Sequence, residues 1–138
     1  MVIRYCTINC NFARPLTDTT NKACSDQIIE WANVSSRIFI WDYVTNFNNF
    51  IQSFPNYYKM GADIKFFAAH HVTGLFSEGS YASAGGDMDV LKAYVVGNML
   101  MEPGLDPSEL ISSWLAAYFG PAQPWAVYSF SRPGIFHS

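Results

Sequence analysis

Charge is scarce in this chain. Asp, Glu, Lys and Arg make up 14% of its 138 residues, where average usage is nearer a quarter. The eight Lys and Arg are scattered and the formal net charge is −3. No basic cluster exists to neutralise phosphates, so no nucleic-acid partner is expected. No apolar run approaches the ~20 residues that span a bilayer. No G-x-S-x-G, P-loop or G-x-G-x-x-G occurs, which leaves acyl transfer and nucleotide chemistry without a motif. There is no internal repeat and no low-complexity linker. The opening MVIRYCTINC lacks the basic n-region and long apolar h-region of a signal peptide and reads as the start of a strand.

Cysteine is also sparse. Cys6, Cys10 and Cys24 include no C-x-x-C pair and have no histidine nearby in sequence, so neither a zinc site nor any cofactor is expected. Two readings stay open. A Cys10–Cys24 bridge suits an exported protein, and three thiols suit a reducing compartment.

What the chain has is apolar surface. Half its residues are hydrophobic and 17% are aromatic. Such a composition belongs to an unusually apolar domain, or to one whose surface packs against further chain.

Strands alternate with helices. Residues 2–8 are β-branched and aromatic, which predicts a strand, and residues 11–23 form a polar loop. The spacing predicts a helix over 25–34, capped by Ser25, with Ile28, Ile29 and Trp31 on its buried side. A strand follows at 37–42. Pro55 marks the start of a helix over 57–71 that buries Tyr57, Met60, Ile64 and Phe67. The run between Gly74 and Gly79 is too short for a helix and reads as a strand over 73–79. The rest is helical. One helix is expected to start at Asp87 and bury Leu91, Tyr94, Val95 and Met99. The next has Asp106 at N-cap, Pro107 at N1, Glu109 at N3 and Gly120 as its stop. A last short helix covers 121–130. Tyr94, Trp114, Tyr118, Phe119 and Trp125 fall at helical spacing and read as core.

The order β-α-β-α-β implies parallel strands joined by right-handed crossovers. Three strands are few for an independent sheet of this size. The fold class is therefore α/β, expected as the C-terminal part of a (β/α)8 TIM-like barrel with three parallel strands followed by several helices. An open three-layer α/β arrangement is the alternative.

In parallel α/β folds ligands bind at the carboxyl edge of the strands, which here carries Asn9, Asp42 and Glu78. Neighbouring strands lie about 4.8 Å apart. Two carboxylates there suit glycoside hydrolysis, in which one protonates the leaving oxygen and the other attacks or activates water. Trp41 and Tyr43 flank Asp42 and can stack on a sugar ring. The loop from Gly79 through Tyr81 lies above them, and His71 is a further candidate substrate contact. Bland readings stand beside these. Asp42 can cap a loop, Trp41 can pack in a core, and His70 and His71 suit a helix carboxyl terminus.

The motifs IFIWDYVTNFNNFIQSFPN, DIKFFAAHHVTGLFSEGSY and LKAYVVGNMLMEPGLDPSELISSWLAAYFGPA resemble, in the same order, a family of unknown function within the glycoside-hydrolase-like TIM-barrel superfamily. Its barrel is related to those of α-glucuronidases and hexosaminidases. The matching features are Trp41-Asp42-Tyr43, Phe54-Pro55-Asn56, Gly74 to Gly79 and Tyr118-Phe119-Gly120. One departure is Met101-Glu102, where the family pattern expects Trp-Asp or Trp-Asn. The resemblance covers about residues 4–128. It implies a partial barrel domain over 1–130 with a tail at 131–138, about five further strands upstream, an exported parent protein and a carbohydrate ligand. Glu78 and Asp42 are then the candidate catalytic pair. Trp41, Tyr43, Tyr81, His71 and Asn9 are the candidate substrate contacts.

Overall fold

The computed structural model describes residues 1–130, so the expected tail at 131–138 lies outside the described residues. The elements run β1 (Ile3–Cys6), α1 (Lys22–Val34), β2 (Ile38–Tyr43), α2 (Tyr57–Ala69), β3 (Val72–Glu78), α3 (Asp89–Met101), α4 (Pro107–Phe119) and α5 (Gln123–Phe130). Among the described residues the three strands form one open sheet in the order β1-β2-β3. Both pairings are parallel, with Ile3 opposite Ile38 and Tyr43 opposite Glu78. The expected α/β class and the parallel sheet are what the chain adopts. No described helix is long and apolar enough to cross a membrane.

Strand residues alternate between two faces. Ile38 and Ile40, each 0% exposed, point to the helices and join a core with Leu16, Cys24, Ile28 and Phe67. A second core joins α2, α3 and α4 through Tyr57, Met60, Ile64, Leu91, Val95, Met99, Ile111 and Leu115. The apolar stripe read for α2 is therefore the buried stripe. Arg4, Cys6, Phe39, Trp41, Phe76 and Glu78 alternate onto the opposite face. Cys6 is exposed and Phe76 is 47% exposed. Connecting adjacent parallel strands in sequential order returns each crossover to the same side, which is why the helices share one face.

The structure corrects several boundaries. The helix expected at Ser25 begins at Lys22, because a 3-10 turn over Thr19–Asn21, capped by the Asp18 carboxylate, leads into it. Ile29 and Trp31 are exposed at 37% and 42%, so the buried side of α1 is narrower than expected. Asp87 does not cap α3. Met88 does, in a left-handed conformation at φ 50°. The helix over 57–71 ends at Ala69, with His70 as its C-cap. Tyr118 and Trp125 are 67% and 76% exposed and so not core. The capping read for α4 holds, since the Asp106 carboxylate accepts from the Ser108 N–H at 2.8 Å. Gly120 closes the helix at φ 54°.

Cys10 and Cys24 form a disulfide with Cα atoms 6.1 Å apart. It ties the β1–α1 loop to α1. Asn21 holds the same loop from inside: its side-chain oxygen accepts from the Asn11 N–H, and its amide donates to Asn11, Arg14 and Pro15 carbonyls.

Candidate functional site

The carboxyl edge of the sheet carries two chemically different faces. On the open face Glu78 ends β3, and the Trp41 indole N–H donates to its Oε2 at 2.6 Å. Trp41 in turn meets Phe76 edge to face at 5.2 Å. Tyr43 stands opposite Glu78 in register, and its hydroxyl lies 3.0 Å from the Cys6 thiol. Burial, then the Cys6 thiol, push the Tyr43 phenol up to about 12, so it stays protonated near neutrality. Two bonded pairs, Trp41–Glu78 and Cys6–Tyr43, therefore stand side by side in register on this face.

Asp42 is on the other face. It is 4% exposed, accepts from the Thr7 hydroxyl at 2.9 Å, and pairs with the Lys59 ammonium at 3.3 Å. Lys59 also pairs with Asp63 at 2.9 Å, and Asp63 accepts from the Leu16 N–H at 2.7 Å. Burial works against the Lys59 charge, but Asp42 and Asp63 outweigh it and raise the ammonium above its ordinary range. Burial also pushes the Asp63 carboxyl up to about 6, against the opposing pull of Lys59. The expected pairing of Asp42 with Glu78 is not realised. Asp42 is opposite Ser77 in register, and one residue along a strand reverses the side-chain face.

The remaining candidates divide. Asn9 lies exposed in the turn after β1, at the carboxyl edge. Tyr81 is 76% exposed in the β3–α3 loop, with its ring 6.4 Å from Phe47 and 6.0 Å from Phe50. His71 is excluded by position. It precedes Val72 at the amino end of β3, at φ 59°, and the strand's length of roughly 20 Å separates it from Glu78.

Two groups were not anticipated. One is the buried Lys59–Asp63 pair. The available signal was its spacing: Asp63 lies three residues after Met60 and four before Phe67, within the apolar stripe of α2. The other fixes the β3–α3 loop. The Asp87 carboxylate accepts from the Tyr57 hydroxyl at 2.7 Å and the Phe54 N–H at 3.0 Å, and pairs with Lys92 at 3.3 Å. Burial lowers the Lys92 ammonium against the pull of Asp87, and burial with Asp87 raises the Tyr57 phenol. Beside this group Ser80 donates to Asp89. Among the described residues no three His, Cys, Asp or Glu side chains converge in a metal-binding arrangement.

Fold and edge together define an α/β chain with a parallel sheet, helices on one face and a carboxylate–aromatic group on the other. By sequence, residues 1–131 match the family described as a domain of unknown function, DUF4838, and the chain belongs to that family. No curated protein and no solved structure matches the chain.

Proposed function

We propose that this chain is part of a glycoside-hydrolase-like (β/α)8 barrel that acts on a carbohydrate at the carboxyl ends of its strands. One observation carries the reading: Glu78 at the carboxyl end of β3, on the face without helices, held by the Trp41 indole at 2.6 Å. In a closed barrel that face is the interior and its carboxyl end is the active-site mouth. Support also comes from the outer edge of β3. Two cavities of about 160 and 430 Å³ run along it, against Leu100, Val96 and Gly97 of α3, where a further strand would lie. In this reading the rest of the barrel is the chain's principal partner.

Glu78 is the candidate acid or nucleophile, and Trp41 both orients it and offers a ring edge to the sugar. Asp42 takes a different role from the one expected of it: buried against Lys59, it positions β2 rather than meeting substrate. Glu78→Gln in a protein carrying the whole barrel is expected to lose aryl-glycoside turnover by several orders of magnitude while remaining folded. Unchanged turnover would remove Glu78 from the mechanism.

A specific observation favours a second reading, a non-catalytic carbohydrate-binding or structural module. Glycoside hydrolysis takes two carboxylates, and Glu78 is the sole carboxylate on the open face of the described strands. In the binding reading, glycan affinity survives Glu78→Gln and falls with Trp41→Ala, and no hydrolysis accompanies it.

A further inference from the structure

Three loops at the carboxyl edge, through Phe12, Phe47 and Tyr81, contribute aromatic rings to one cluster, with Tyr81 6.4 Å from Phe47. Phe12 of the β1–α1 loop stacks on Tyr43 with centroids 5.1 Å apart and an interplanar angle of 21°. Phe47 of the β2–α2 loop meets Tyr43 at 5.5 Å and Phe12 at 6.4 Å, both edge to face. Beside this cluster is a cleft of about 250 Å³ lined by Phe12, Thr45, Asn46, Phe47, Asn48 and Phe54. Tyr43 connects the cleft to Glu78, its register partner, roughly 10 Å away by strand spacing and one ring stack.

The lining specifies a chemistry. No ionisable group is among these residues, and the two charges that touch Phe54, Asp87 and Lys92, are already paired with each other, which disfavours a charged ligand. Phe12 has one ring face covered by Tyr43, and its opposite face is the one a ligand ring can stack on. The Asn46 amide is partly engaged: its oxygen accepts from the Asn48 N–H at 3.0 Å, and its nitrogen donates to Gln52 at 3.3 Å. Asn48 is exposed, and its side-chain amide makes no hydrogen bond among the described residues. It presents a donor pair and an acceptor beside aromatic rings. Drug-sized ligands fill roughly 300–1,000 Å³, so this cleft suits a single ring. An aromatic face with a neutral amide at its rim matches a pyranose, which has apolar C–H faces and hydroxyls around its edge.

Building on the carbohydrate reading above, we propose that this cleft is a binding subsite for one neutral sugar unit, stacked on Phe12 and hydrogen-bonded by Asn48. The occupant is a residue of a neutral glycan whose chain continues toward Glu78.

The test titrates the 138-residue chain with neutral oligosaccharides of glucose, xylose, mannose and N-acetylglucosamine, read by calorimetry and saturation-transfer NMR. Saturation is expected to reach the C–H protons of one sugar unit. Asn48→Ala, an exposed change that leaves the fold alone, is expected to weaken binding about fivefold. Phe12→Leu is expected to weaken it about tenfold, and Tyr118→Ala on the remote α4 surface leaves it unchanged. Affinity indifferent to both Asn48→Ala and Phe12→Leu overturns the proposal. So does binding of benzyl alcohol without any neutral sugar, or of no probe at all. Glu78→Gln separates this subsite from hydrolysis, because it is expected to keep cleft affinity. A protein carrying the whole barrel that binds sugar through Asn48 yet cleaves nothing sinks the hydrolase and keeps the subsite.

Discussion

At the residue scale, two buried polar groups carry measurable consequences. Asp63 is 1% exposed and its carboxyl is pushed up to about 6 by burial, against a value near 3.9 in an unfolded chain. Between those values the folded state binds the extra proton. Its contribution is therefore fully present below about pH 4 and is lost as pH rises through 6, by roughly 3 kcal/mol. Denaturant melts at a series of pH values are expected to show that fall, and Asp63→Asn to remove it, because an asparagine amide takes up no proton in this range. A flat wild-type profile would count against the assignment. Thr45 is 1% exposed, and its hydroxyl has no hydrogen-bond partner among the described residues. An unpaired buried hydroxyl costs on the order of 1 kcal/mol or more. Thr45→Val keeps the shape and removes the polar atom, so thermal unfolding should move upward by a few degrees.

At the element scale, the decisive contact is where α2 crosses α4. Gly61 lies on the buried side of α2, and a Cβ built there would stand 2.7 Å from Pro107 Cβ and Cγ. Pro107 is the first residue of α4, fixed by the proline ring and the Asp106 cap, so it cannot swing away as a flexible side chain would. Gly61→Ala would ordinarily favour a helix by up to ~1 kcal/mol. Here overpacking reverses the sign, and a net destabilisation of about 1–3 kcal/mol is expected, visible as a lower denaturant midpoint. The sequence read the start and end of α4 correctly because Asp106, Pro107 and Gly120 act locally. It misread the starts of α1 and α3. At α1 a preceding 3-10 turn took the capping role, and at α3 a tertiary cluster of Tyr57, Phe54 and Lys92 claimed Asp87.

At the scale of the whole molecule, the Cys10–Cys24 bond and the Asn21 clamp hold the loop that carries Phe12 and that donates Leu16 N–H to Asp63. Cross-linking a loop of this length stabilises by about 3 kcal/mol, and a chain of this size responds with a shift of several degrees per kcal/mol. Reduction, or the Cys10→Ser and Cys24→Ser pair, is expected to lower Tm by on the order of 10 °C and to weaken sugar binding at the cleft. A melting curve unaffected by reductant would show that Asn21 alone suffices.

Periodicity and capping chemistry are local, so they were enough to reveal three strands, parallel pairing, the α2 stripe and Glu78 at the carboxyl edge. The direction in which each strand-end side chain points, and what meets it there, depends on register and on elements distant in the chain. That is why Asp42, a neighbour of Glu78 in expectation, became the partner of Lys59 on the helix face. His71 precedes β3 in the chain, so it stands at the amino end of that strand, the far end from Glu78. Phe12 and Phe47, unremarkable in sequence, came together only when three loops converged over one sheet edge.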